Sequence, residues 1–272
     1  MLCRELSLLA DLGLTRILVG PTSEATLTLS LGELEKQLGL RGLKELVGHH
    51  GTTLFWFTVP GEKALAVWKD LRDKAPQLSY WPVIFGDPKH LQRFAELVVS
   101  NHATPPQETL QAAAKLDVQE FLERRTEEFS DEHAHGQWPP SIQAMGDFTL
   151  PRNILKQGEF LKSVDIGIVP AKHGWEVPAQ ICFGGWNDCP MPEEQVAVLR
   201  YWNETYGAEL VGASNDVLEL RVARRPSSKE EALRLAQEQF WFCYDIVDQG
   251  VGTIENLAAT LLVSDIWYFW WD

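Results

Sequence analysis

The chain has 272 residues with 38 acidic and 24 basic side chains, a formal charge of −14, and 45% hydrophobic residues, 11 Trp and 12 Phe among them. Those values exclude a disordered chain and disfavour general nucleic-acid binding, because an acidic field repels phosphate. No apolar run approaches the roughly 20 residues of a membrane span, and MLCRELSLLADLGL lacks the pattern of a signal peptide, so a soluble cytoplasmic protein is expected.

In the N-terminal third, TRILVG (15–20) and TLTLS (26–30) read as strands. Ser30 and Glu33 have capping-box spacing ahead of a short helix with Leu31, Leu34 and Leu38 on one face. TTLFWFTV (52–59) is β-branched, aromatic and uncharged, the signature of a strand, and Pro60-Gly61 ends it. Ala64, Leu65, Trp68 and Leu71 follow at helical spacing, and YWPVIF (80–85) is the next strand. Asp87-Pro88 starts a helix whose stripe is Leu91, Phe94, Leu97 and Val98, since Asp87 caps free amides and Pro88 needs no donor there. One further helical region is expected over 107–129, with a solvated outer face.

Residues 131–158 contain three prolines and no clear period, which reads as a linker or irregular insertion. The expected organisation is therefore an N-terminal α/β region (1–130), a linker (131–164) and a C-terminal domain (165–272).

In the C-terminal part, VPAQICFGG (177–185) reads as a strand running into a glycine turn. Pro192 opens a helix with Val196, Leu199, Trp202 and Tyr206 inward and Gly207 as its stop. AELVGAS (208–214) and VLELRVA (217–223) read as a hairpin around Asn215-Asp216. Ser228 and Glu231 form a second capping box for a helix burying Leu233, Ala236, Phe240 and Cys243. After the connection DIVDQGVG (245–252), Thr253 caps a helix carrying Ile254, Leu257 and Leu261. Strand–helix–strand patterns around 52–85 and 177–223, each with a Trp-bearing helix (Trp68, Trp202), hint at an internal repeat.

The chain ends DIWYFWWD. As a strand it places Trp267, Phe269 and Trp271 on one face and Tyr268 and Trp270 on the other, which predicts an interior strand covered on both sides. The fold class expected is α+β: a mixed or mostly antiparallel sheet flanked by helices, with the C-terminal strand internal to it.

GGWNDCP (184–190), DIVDQGVGT (245–253) and WYFWWD (267–272), in that order, resemble a bacterial family known as domain of unknown function 4253 over roughly residues 165–272. TVPGEKALAVW (58–68) and YWPVIFGD (80–87) resemble the N-terminal parts of its longer members. The resemblance implies a bacterial soluble protein and no activity, cofactor or catalytic residue.

Two constellations carry possible chemistry. In the first, Trp186, Asn187 and Asp188 precede a helix, and Asp245, Asp248 and Gln249 lie on another loop. They are candidates for a polar ligand pocket walled by Trp186 and the terminal aromatics, although loops rich in such residues are more often self-capping structure. Within it, Cys189 at a helix N-terminus is a weak nucleophile candidate with His173 as a distant partner. Asp188, Asp245 and Asp248 are oxygen donors for a divalent cation in a spacing that lacks a calcium-loop pattern. In the second constellation, His133 and His135 beside Asp131 and Glu132 are weak metal-ligand candidates, without an evident third ligand. The four cysteines (Cys3, Cys182, Cys189, Cys243) show no CxxC pair and read as reduced thiols. Phosphate-loop, dinucleotide, nucleophile-elbow and zincin motifs are not found, and no cofactor is expected. The leading expectation is a non-enzymatic module binding a protein partner, a basic one by charge, for which a toxin-neutralising immunity protein is one fit. The alternative is an enzyme or small-molecule sensor using the Trp186–Cys189 and Asp245–Gln249 loops.

Overall fold

The computed structural model describes residues 29–48, 50, 52–98, 103–153 and 156–272. The strand expected over 15–20 lies outside the described residues, as does that over 26–30 apart from Leu29 and Ser30, which are in neither helix nor strand.

In chain order the elements are α1 (Leu31–Leu38), β1 (Lys44–Val47), β2 (Thr53–Val59), α2 (Gly61–Lys74), β3 (Trp81–Gly86), α3 (Pro88–Val98), α4 (Pro106–Ala113), α5 (Val118–Glu128), β4 (Arg152–Asn153), β5 (Glu159–Phe160), β6 (Val164–Val169), α6 (Val177–Ile181), α7 (Pro192–Tyr206), β7 (Glu209–Ala213), β8 (Val217–Arg221), α8 (Lys229–Phe242), α9 (Ile254–Val263) and β9 (Ile266–Trp270). Among the described residues, seven strands form one sheet in the order β1-β2-β6-β3-β7-β8-β9, antiparallel except where β3 meets β7, with helices around it. The expected α+β architecture is present, and the C-terminal strand is one of the seven strands of the sheet. β6 inserts between β2 and β3, so the β2-α2-β3 crossover straddles a strand from much later in the chain.

Register assigns the faces. Leu218 and Leu220 stand opposite Phe269 and Trp267, on the side packed against α7 and α8. Trp202 of α7 stacks on Phe269 with ring centroids 5.4 Å apart and meets Trp267 edge-on at 5.6 Å, while Phe242 of α8 lies 5.0 Å from Trp202. Glu219 and Arg221 point the other way, where Arg221 lies over the Trp68 ring of α2 and Glu219 accepts the backbone amides of Thr149 and Leu150.

The tail is buried on one face and half-buried on the other. Trp267, Phe269 and Trp271 are 1%, 0% and 1% exposed, whereas Tyr268 and Trp270 are intermediate. The reason is position. β9 ends the strand order and, among the described residues, pairs with β8 alone. Its second face is covered by the irregular segment around 149–153, leaving a cleft of about 390 Å³ that Tyr268 and Trp270 line with Thr149, Leu150 and Arg152.

Several local expectations need correction. Residues 177–181 are helical, not extended: Val177-Pro178 sits in the first helical turn, where proline is welcome, and Cys182 stops the helix in the left-handed region at φ 54°. The repeat suggested by a strand over 177–185 goes with it. The single helical region over 107–129 is two helices, because Asp117 leaves the helical path to cap α5, accepting from Gln119 N at 2.8 Å. In α8 the buried stripe runs through Ala232, Leu235 and Ala236, with Leu233 only half-buried. The connection after α8 is itself wound, as a π-helical turn over Ile246–Val251 closed by Gly252 at φ 83°.

Candidate functional site

The loop from Cys182 to Met191 is held by its own backbone. Cys189 N–H donates to Trp186 O at 2.7 Å, and Gly185 N–H donates to Cys189 O at 3.1 Å. A side chain at Gly184 would put its Cβ 2.1 Å from Pro190 O, so only glycine allows this approach. Asn187 and Asp188 both take positive φ, 41° and 58°. Asn and Asp tolerate that region best among residues with side chains, which gives both identities a backbone role before any chemical one.

The first constellation divides between two cavities. Trp186 and Asn187 line a cleft of about 360 Å³ with Trp271, Asp216 and Arg93, the last of them a cation from α3. The Trp186 ring meets Phe183 edge-on at 5.0 Å, and Phe183 meets Trp271 at 5.8 Å, so the aromatic core continues to the cleft wall. Asp245 lies instead on a separate cavity beside β9. Its carboxylate is committed: one oxygen accepts Gln249 Nε2 at 2.7 Å, and the other accepts the backbone amide of Asp272 at 3.1 Å.

Asp188 bonds to other partners than Asp245 does. Its side chain accepts the Tyr244 hydroxyl at 3.3 Å, and its carbonyl accepts Arg125 Nη2 at 2.9 Å. Asp248 pairs with His133 Nε2 at 3.2 Å, so the two sequence constellations meet here. His135 goes elsewhere, to Glu255 at 3.3 Å and Asp131 at 3.6 Å. Its neighbour Gly136 donates to Glu255, and Ile254 N–H donates to Ala134 O at 2.8 Å, fastening residues 131–136 to the start of α9. Among the described residues, no group of three or more His, Cys, Asp or Glu side chains is placed to hold a metal ion.

Cys189 is buried, and its sulfur accepts Gln195 Nε2 at 3.3 Å. Burial pushes its thiol well up, and the nearby Cys243 adds to this; the Gln195 contact and Arg125 oppose it only in part. The sulfur is therefore held as a neutral thiol at neutral pH, which removes the thiolate that nucleophilic attack needs. His173 stacks flat on Trp175 at 5.2 Å.

Arg125 is the residue that pattern reading passed over. It appears in sequence as one more charge on a solvated helix, yet it is buried. Besides Asp188 it bonds Trp241 O at 3.0 Å and Glu128 at 3.1 Å, and it lies 4.2 Å over the Phe129 ring. It ties α5, the 182–191 loop and the end of α8 together.

Among the described residues no helix is long and apolar enough to cross a membrane. Comparison with curated proteins and with solved structures gives no match to this chain. The C-terminal part, residues 165–272, which carries β6 to β9, both candidate loops and the aromatic tail, matches the family model for a domain of unknown function, DUF4253.

Proposed function

We propose that the protein is a non-enzymatic binding module whose partner is a basic protein. The observation that carries this reading is the charge of −14, from 38 acidic against 24 basic residues. Several of the arginines are already engaged within the fold, Arg72 and Arg221 on Glu209 and Arg124 on Glu194 among them. An excess of surface carboxylate speeds encounter with a basic partner and repels acidic competitors. Neutralising a toxin is one role that such steering serves. The burial of Cys189 supports a non-catalytic reading, since the most reactive candidate side chain is closed to substrate. The test is affinity capture with the intact protein from cells of its source at low and at high salt. A stoichiometric basic protein, lost as salt rises, is expected. Recovery of no stoichiometric partner under several growth conditions contradicts the reading.

The cleft walled by Trp186, Asn187 and Trp271 favours a second reading, small-molecule sensing. It requires that Trp186→Ala leave the melting temperature nearly unchanged while abolishing binding of any ligand found by screening. A large fall in melting temperature makes Trp186 structural and ends that reading.

A further inference from the structure

The open side of β9 carries a second cavity with its own chemistry. Val222 N–H bonds Asp265 O at 2.9 Å and Trp271 N–H bonds Asp216 O at 3.1 Å, which fixes the phase of the β8–β9 ladder. In that phase residues 265, 267, 269 and 271 bond to β8, and the amides and carbonyls of Ile266, Tyr268 and Trp270 face the other way. Local groups satisfy the two ends of this line. The Ser264 hydroxyl serves both backbone groups of Ile266, and Cys243 Sγ donates to Trp270 O at 2.9 Å. Tyr268, between them, stands on the wall of a cavity of about 390 Å³.

The cavity is bounded by β9, α8, the π-helical turn, α9 and residues 143–145 of the irregular segment. Its volume falls within the range of about 300–1,000 Å³ typical of small-molecule sites. The wall is mainly apolar, with Ile246, Leu257, Leu261 and Trp270 prominent, and among the described residues it includes no Lys, Arg or His. Its charged member, Asp245, already accepts from Gln249 and Asp272. Gln239 on α8 differs from its neighbours. It lines the cavity, is only 1% exposed, and its Nε2 has no hydrogen-bond partner among the described residues. Trp267, another wall residue, has an indole N–H in the same condition. Buried donors are nearly always satisfied in native folds, so unmet ones on a cavity wall mark where an acceptor belongs.

We propose that this cavity binds an uncharged, mainly apolar small molecule whose carbonyl-type oxygen accepts from Gln239 Nε2. An anion is disfavoured because the wall offers Asp245 and no cation. A plain hydrocarbon fills the volume and leaves the donor unmet. This site is distinct from the Trp186 cleft and independent of the protein-partner reading.

Three probes of nearly equal shape separate these cases: benzylacetone with a ketone, butylbenzene without an acceptor, and hydrocinnamate with a carboxylate. Each is titrated into the full-length protein, with binding read from the side-chain amide signal of Gln239 and the indole N–H of Trp267 by NMR. The ketone is expected to bind and move the Gln239 signal, the hydrocarbon to bind about tenfold more weakly, equivalent to ~1.4 kcal/mol, and the carboxylate not to bind. Gln239→Leu should bring the ketone down to the hydrocarbon's affinity. Val251→Trp, at an exposed wall position, should block all three. Equal binding of the three probes overturns the proposal. So does shift mapping to the Trp186 cleft, or a folded protein that binds no ketone and whose Gln239 amide contacts only water. If Gln239→Leu fails to fold, the wild-type series and Val251→Trp decide.

Discussion

Asp245 and Asp272 are joined through the carboxylate of one and the backbone amide of the other, at 3.1 Å. Asp245 immediately precedes the π-helical turn, and Asp272 follows the last strand, so this bond fastens the end of β9 to the start of that turn. Asp245 also holds Gln249 across that turn. The carboxylate that looks in sequence like a ligand-pocket member thus has both oxygens occupied by the fold. Asp245→Ala removes both acceptors; the donors belong to the exposed Gln249 and Asp272, which water can reach, so the loss is about 1.5–3 kcal/mol, the range for hydrogen bonds to a charged group. Chemical denaturation should show that loss. A change within about 0.5 kcal/mol, the range of ordinary surface substitutions, would place Asp245 outside the fold's support.

The unequal faces of β9 make a paired prediction. Phe269→Ala opens a hole against Trp202 and Phe242 and should cost about 3–5 kcal/mol. Trp270→Ala, on the half-buried face, should cost about half as much, because less apolar surface returns to water. Equal losses, measured by urea unfolding, would contradict the assignment of faces.

Thiol accessibility offers a third check. Cys182 is partly exposed, whereas Cys189 and Cys243 are buried with thiols that burial pushes up. Native labelling with a thiol reagent, followed by peptide mapping, should modify Cys182 well before Cys189 or Cys243. Fast labelling of Cys189 at neutral pH would restore it as a nucleophile.

Glu219 gives a pH dependence whose sign is fixed by its surroundings. Burial raises its carboxyl above the ordinary carboxylate value, against the opposing pull of the Thr149 and Leu150 amides. The folded state therefore holds the Glu219 proton more tightly than the unfolded chain, whose carboxyl titrates near about 4.3. This contribution to stability is full below the unfolded value and is lost as pH rises through the folded one. Relative to Glu219→Gln, which does not titrate, the native protein should gain stability as pH falls through that window. Urea midpoints of the two proteins at a series of pH values measure it, and a difference constant with pH would show that Glu219 is not perturbed.

Much of this architecture was readable from local pattern. Proline, glycine and capping signals around α3, α7 and α9 are short-range chemistry, and the period of two in WYFWW grouped Trp267, Phe269 and Trp271 on one face; the other face, expected to be covered as well, is half-buried because β9 ends the strand order. Where the reading failed, the deciding partner was distant. Val177-Pro178-Ala179 is apolar enough for a strand, yet Pro178 starts a helix whose burial depends on tertiary packing. Nothing near Arg125 announces that three backbone or carboxylate acceptors from different segments converge on it. The His133-x-His135 pattern looked like one potential site, but the fold sends each ring to different carboxylates. Trp186 and Asn187 line one cleft and Asp245 another, and Arg93, which joins the first from α3, carried no sequence signal.

The measurement closest to the centre of this account is amide hydrogen exchange along residues 265–272. Trp267 and Phe269 donate to β8 in the observed register and Trp271 donates to Asp216 just before it, so their amides should exchange only as slowly as the sheet itself opens, with the protection of the β8 amides beside them. Exchange of those three amides at the rate of an unstructured chain, while β8 stays protected, would contradict a C-terminal strand built into the sheet.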